Sequence, residues 1–248
     1  MNFYACIIGT ELLNGRRKDS HFDFLNNELL KRGWELKASF VIKDEPSFIE
    51  DVFRLIKKDE NSVMFCFGGI GSTPDDYTRD VAATVFSDGY MEYNDVMLEI
   101  ITEKFGDKAY PDRVKMGYLP KNAGLLSNPI NQISGFYLED RYFFVPGFPQ
   151  MAHPMVIEAL DKFYPKGAQK FKKTFTAFCS EGELIDIMQT LPSSVEFSSL
   201  PIMDGDKRAV ELYLASPSSC VTEDVFEHFV TLTEKKGYKW REGGYFDA

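Results

Sequence analysis

The sequence predicts an α/β protein built on a mostly parallel sheet covered on both faces, followed by a smaller α+β layer. Over the first 90 residues strand signals alternate with helix signals, an order that implies parallel strands joined by right-handed crossovers. Residues 62–67, Ser-Val-Met-Phe-Cys-Phe, form an apolar run of the kind found in strands buried on both sides. The composition then shifts at 164–173, Tyr-Pro-Lys-Gly-Ala-Gln-Lys-Phe-Lys-Lys, which reads as a domain boundary.

Each element has its own local reason. Residues 3–8 are an apolar first strand. Ser20 stands as a helix N-cap with Asp23 at the third helical position. Phe22, Leu25, Leu29 and Leu30 follow at helical spacing, and Gly33 ends the helix. Residues 34–42 return to strand, and Pro46 opens a helix with Ile49, Val52, Phe53 and Ile56 on one stripe. After the strand at 62–67 a glycine-rich loop leads into a helix at 78–86. A further helix is expected at 94–105, and 106–134 is loop-rich. Residues 135–145 alternate around Glu139-Asp140 as a hairpin. Pro146-Gly147-Phe148-Pro149 makes a stiff turn before a helix at 150–163.

Domains are therefore expected at 1–165 and 171–248. The second reads strand, helix, strand, strand, helix, strand, with helices near 180–190 and 222–236 and strands near 172–178, 194–199, 208–215 and 238–241.

The 248 residues carry 28 Lys plus Arg against 38 Asp plus Glu, a formal net charge of -10. Such a surface repels nucleic acid and anionic lipid. No run approaches the roughly 20 apolar residues of a membrane span. The first nine residues have no basic stretch, and their apolar run is too short for a signal peptide. Cys6, Cys66, Cys179 and Cys220 form no CxxC pair, and Cys6 and Cys66 lie in apolar runs as reduced core thiols. The expectation is a cytoplasmic protein. His21, His153 and His228 have no metal-ligand spacing, so a structural zinc site is not expected.

The strongest chemical signal is Gly68-Gly69-Ile70-Gly71-Ser72-Thr73-Pro74-Asp75-Asp76-Tyr77-Thr78, between a strand and a helix. This is the carboxyl edge of a parallel sheet, where ligands bind. Glycines allow close backbone approach, and a helix N-terminus adds partial positive charge, so Gly68, Gly69, Gly71, Ser72 and Thr73 suit a phosphate. The alternative is a tight turn with a capping Asp. No dinucleotide fingerprint or Walker A pattern is present. Asp75 and Asp76 repel an anion unless a divalent cation intervenes or one of them caps the helix. Gly9-Thr10-Glu11-Leu12-Leu13-Asn14-Gly15 ends the first strand, and Asp44 ends the second at the same edge. Their plainer readings are a strand-end turn and an N-cap before Pro46.

With these residues, and with Leu119-Pro120, Asn128-Pro129, Gly135-Phe136 and the stretch 145–149 following in order, residues 3–160 resemble the molybdopterin-binding domain family, in its CinA branch. The resemblance implies a three-layer sandwich, and over 195–212 a small KH-like domain. The family usually has Asn at His21, Gly-Thr at Asn131-Gln132 and Glu at Gln150. A KH nucleic-acid site needs a GXXG clamp, and none occurs between 171 and 235.

What the resemblance implies for function is a metal-dependent nucleotide pyrophosphatase acting on ADP-ribose or a related dinucleotide. The alternative is a molybdopterin- or nucleotide-binding protein that adenylylates its ligand or turns nothing over. In the first case Asp76, Asp75 and Glu11 are the candidate catalytic groups, and Asp44, Asp75 and Asp76 the candidate ligands of a divalent cation such as Mg2+. Gly9, Thr10, Asn128, Pro146 and Gly147 join the glycine loop in holding the ligand. The expected partners are a small nucleotide or pterin and further copies of the chain as a dimer or trimer, with no nucleic acid and no membrane.

Overall fold

The computed structural model describes residues 1–168, 170–205 and 207–246. The chain divides into two compact units, Met1–Gly167 and Ala168–Ala248.

The first unit begins with β1 (Asn2–Ile8), a single turn α1 (Thr10–Leu13), α2 (His21–Lys31), β2 (Leu36–Ile42), α3 (Pro46–Lys57), β3 (Ser62–Phe67) and α4 (Thr78–Phe86). It continues with β4 (Met91–Tyr93), α5 (Asp95–Phe105), β5 (Tyr118–Pro120), β6 (Gly124–Leu126), β7 (Gly135–Leu138), β8 (Tyr142–Val145) and α6 (Pro149–Phe163). Six strands form one sheet in the order β2-β1-β3-β8-β7-β6. The pairs β1–β2, β1–β3 and β3–β8 are parallel, while the β7–β8 hairpin and the β6–β7 pair are antiparallel.

Side-chain alternation gives this sheet two cores. Tyr4, Cys6 and Ile8 point to one face and pack with Ile49, Val52, Phe53 and Ile56 of α3 and Val81, Ala82 and Val85 of α4. Phe3, Ala5 and Ile7 point to the other and meet Leu25 and Leu29 of α2 and Ala152, Met155 and Val156 of α6. The result is the three-layer α/β/α sandwich. Helix α3 buries the stripe its sequence predicts. Helix α2 does so only in part, because Phe22 and Leu30 are exposed.

One cap and one loop stretch differ from expectation. Ser20 occupies the N-cap position of α2 without a side-chain cap bond. Asp19 does that work, accepting from the N–H groups of His21 and Phe22 at 2.9 and 3.0 Å. The shift follows from the longer reach of the carboxylate one residue earlier, an Asx-type turn. Within the stretch expected to be loop, β5 pairs with β4 as a separate two-stranded sheet. The 3-residue partners are too short to leave a periodic signal.

The second unit runs β9 (Phe171–Ala177), a 3-10 turn (Glu181–Leu184), α7 (Ile185–Met188), β10 (Glu196–Asp204), β11 (Lys207–Ser216), α8 (Ser219–Lys235) and β12 (Trp240–Glu242). Its sheet order is β10-β11-β9-β12, with every neighbouring pair antiparallel. This is the split βαβ arrangement of an α+β layer. Phe175, Val210, Leu212 and Leu214 from the sheet pack with Leu184, Ile187, Phe226 and Phe229. The predicted helix at 180–190 is a 3-10 turn followed by one α turn. Ser180 and Glu183 form a reciprocal capping box at its start.

Candidate functional site

Parallel strands end on the same side, so β1, β2, β3 and β8 deliver four chain segments to one edge of the sheet. The strand order places a switch point between β1 and β3, since the chain leaves β1 toward β2 on one side and β3 lies on the other. A cleft of about 500 Å³ opens there. It is lined by Gly9 and Glu11 after β1, Asp44 after β2, residues 68–73 with Asp75 and Asp76 after β3, and Pro146 and Gly147 after β8. Asn128 also lines it. Of the predicted ligand-holding residues only Thr10 stands back from the lining.

Thr10 has a different role. The Asp44 carboxylate Oδ2 accepts from the Thr10 N–H at 2.8 Å and from its Oγ1 at 2.9 Å. The end of β2 is thereby tied to the start of α1, and Asp44 is not the cap of α3, whose N-cap position is Glu45. Asp76 is similarly engaged, its Oδ2 accepting from the Thr73 N–H at 2.7 Å and from Thr73 Oγ1 at 2.5 Å. Asn128 spends its side chain within its own loop. It donates to Asn131 Oδ1 and the Ile133 carbonyl, and it accepts from the N–H of Ile130.

The predicted metal set is Asp44, Asp75 and Asp76. Among the described residues no three His, Cys, Asp or Glu side chains gather closely enough to hold a metal ion. Asp44, Asp75 and Asp76 line one cleft but do not converge. Asp44 and Asp76 each give one oxygen to threonine hydrogen bonds that shape the strand ends and the loop.

The glycine loop is sterically specified. Gly68 has φ +99°, and a Cβ on it would lie 2.3 Å from the Ile8 carbonyl oxygen. Gly69 has φ +68°, and its Cβ would lie 2.2 Å from Thr78 Oγ1. Both positions lie in the left-handed region and admit only glycine without displacement. The loop is anchored by Gly68 N–H to the Val145 carbonyl at 2.9 Å, Thr78 N–H to the Gly69 carbonyl at 3.0 Å, and Thr78 Oγ1 to the Gly68 carbonyl at 3.0 Å. Among the described residues, the N–H groups of 69–72 donate to no protein acceptor.

Three features escaped sequence reasoning. Arg79, the second residue of α4, is only 8% exposed and donates from Nη1 to the carbonyls of Ile70 and Gly71. Burial lowers its pKa, against the pull of Asp76 and Asp80. A basic residue in the first turn of the helix that follows the glycine loop was the available signal. The second feature is a set of apolar side chains lining the cleft, including Met97, Phe105, Met116 and Met151. These residues come from distant segments, so no local pattern marks them.

The third is the burial of His21. This residue is 4% exposed, stacks on Phe67 with ring centroids 4.4 Å apart, and has Nε2 3.3 Å from the Gly147 carbonyl oxygen. Its buried Nδ1 has no partner among the described residues. Burial depresses its pKa to about 4, so the ring is neutral at pH 7.

The model of the family described as "Probable molybdopterin binding domain" matches residues 5–166. The chain belongs to the molybdopterin-binding domain family. Within that family it is similar to a CinA-like protein of Nostoc punctiforme, 31% identical over 155 residues. That match covers 60% of this chain and 37% of the relative, so the chain spans little more than a third of the length of that relative. A protein of Pyrococcus furiosus is 27% identical and matches 95% of this chain and 97% of its own length. The structure is also similar to that of the protein CinA with unknown function from Thermoplasma acidophilum, at TM-score 0.58 and 25% identity. That likeness covers 65% of this chain and 98% of the other. No helix among the described residues is long and apolar enough to cross a membrane.

Proposed function

We propose that the cleft binds a phosphorylated heteroaromatic ligand, a pterin or a nucleotide, with its phosphate on the loop 68–72. The observation that carries this reading is the run of loop N–H groups at 69–72 that no protein acceptor takes, beside a helix N-terminus. Such donors are costly to leave unmet unless a ligand or water meets them. The Met97, Phe105, Met116 and Met151 side chains offer a soft apolar surface for a flat ring. Membership of the molybdopterin-binding family favours a pterin as the ring.

A second reading, cleavage of a phosphoanhydride such as that of ADP-ribose, is favoured by one observation. Glu11, Asp75 and Asp76 line the same cleft as the loop, where a carboxylate can orient water against a bound phosphoryl group. Glu11 lies 3.9 Å from Arg17 across an ion pair at the rim.

A thermal-shift panel of AMP, ADP-ribose and a phosphorylated pterin, run with and without Mg2+, separates the readings. A ligand at 100 times its dissociation constant adds about 2.7 kcal/mol of stability. Binding without AMP release from ADP-ribose supports the binding reading alone. Release of AMP that is lost in Asp76→Ala supports hydrolysis. No stabilisation by any of the three removes both.

A further inference from the structure

We propose that Arg79 is the positioning residue of this loop, setting its peptides so that it accepts an oxyanion; the proposal rests on the anion reading of the loop given above. Arg79 Nη1 donates to two successive carbonyls, those of Ile70 and Gly71. In a trans peptide the carbonyl and the N–H of the same unit point in opposite directions. Holding the Ile70 carbonyl on the guanidinium therefore turns the Gly71 N–H away from it. Holding the Gly71 carbonyl does the same for the Ser72 N–H. Without this restraint glycine-flanked peptides flip readily, and a flipped unit presents a carbonyl oxygen to the anion in place of a donor.

The charge of Arg79 acts in the same sense. The side chain is nearly fully buried and makes no side-chain hydrogen bond to a carboxylate among the described residues. Its positive charge is therefore offset only by carbonyl dipoles and by the more distant Asp76 and Asp80. A guanidinium cannot deprotonate to relieve this, so an added anion at the loop is favoured in a region where water screens little. The four acidic residues of the cleft oppose phosphate; Arg17 at the cleft pairs with one of them, Glu11, and Arg79 is the buried cation bonded to the loop itself.

The test is an amide NMR titration of the full chain with inorganic phosphate, comparing the unsubstituted protein with R79Q and R79K. The expected result is saturable movement of the Gly71 and Ser72 amide signals in the unsubstituted chain. R79Q weakens that binding at least tenfold while the rest of the spectrum keeps its dispersion, and R79K, which retains one cationic donor, recovers part of the loss. Undiminished phosphate shifts in folded R79Q overturn the proposal and leave the anion reading standing. No saturable shift in the unsubstituted chain overturns the anion reading and the proposal with it. If R79Q does not fold, the unsubstituted chain decides through scalar coupling across the hydrogen bonds from the Arg79 guanidinium nitrogen to the Ile70 and Gly71 carbonyl carbons. Its presence, with phosphate shifts at Gly71 and Ser72, supports the proposal, and its absence overturns it.

Discussion

The Asp44 carboxylate accepts two hydrogen bonds from Thr10, one from the backbone N–H at 2.8 Å and one from the hydroxyl at 2.9 Å. One side chain thus closes the gap between the ends of β1 and β2 and holds the first turn of α1 at the cleft. Asp44→Ala leaves the Thr10 N–H without its partner. The expected loss is about 1–3 kcal/mol, read as a lower urea midpoint with an unchanged slope. Thr10→Val removes the hydroxyl's bond to the carboxylate and its longer acceptance from the Asp44 N–H at 3.3 Å, keeps the Thr10 N–H bond, and loses about 1 kcal/mol. Equal stability of Asp44→Ala and the unsubstituted chain would show that this bond is not a structural tie.

Gly69→Ala tests the loop itself. The substitution forces a Cβ into a position 2.2 Å from Thr78 Oγ1 at a φ of +68°, so either the loop or the start of α4 must move. The expected destabilisation is about 1–3 kcal/mol, with loss of ligand binding beyond what the stability change explains. Gly15→Ala is the control, since Gly15 also has positive φ, at +77°, but has no atom within 4 Å of its would-be Cβ. It loses the backbone part of the effect and keeps ligand binding.

Much of the parallel sheet and its glycine loop was legible in the sequence, because those features leave local signals. The largely apolar β3, the Pro-initiated α3 and the Glu139-Asp140 hairpin each follow from chemistry within a few residues. The right-handed crossovers then force the ends of β1, β2 and β3 to one edge. What could not be read was which groups are already engaged once they arrive there. Asp44 and Asp76 look like free metal ligands in a string of letters, yet each is held by a threonine. His21 lies in a polar stretch, Lys18-Asp19-Ser20, and its burial against Phe67 depends on a strand more than 40 residues away. The placements of Arg79 and of the cleft methionines are likewise products of tertiary packing.

The buried His21 makes stability depend on pH in a defined window. Its pKa falls from 6.5 to about 4 on folding, so between these values the unfolded chain binds more protons than the folded one. The contribution is complete above pH 6.5 and is lost as pH falls toward 4. Its ceiling is about 3 kcal/mol. The lowered pKa of His153 acts in the same direction. Urea unfolding at pH 4.5 and pH 7 is expected to show a smaller pH difference for His21→Phe than for the unsubstituted chain. An identical difference in both would place a protonated, accessible imidazole at this position.

Asp76 separates loop shaping from chemistry. Asp76→Asn keeps one side-chain oxygen to accept from Thr73 while removing the charge. If the carboxylate only shapes the loop, phosphate-ligand affinity holds or rises as repulsion falls. If it orients water, turnover falls by about tenfold or more with affinity retained, a loss typical of removing a general base. Parallel measurement of ligand affinity and of AMP release from ADP-ribose distinguishes the two.

The most direct measurement is calorimetric titration of the full chain with AMP and with adenosine under the same salt and pH. The pair differs only in the phosphate, so the ratio of the two dissociation constants isolates what the loop contributes. If the N–H groups of residues 69–72 form an anion site, AMP binds at least tenfold more tightly than adenosine, and the difference shrinks in R79Q. Equal affinities, or tighter binding of adenosine, would contradict the assignment of the loop as the phosphate-holding part of the cleft.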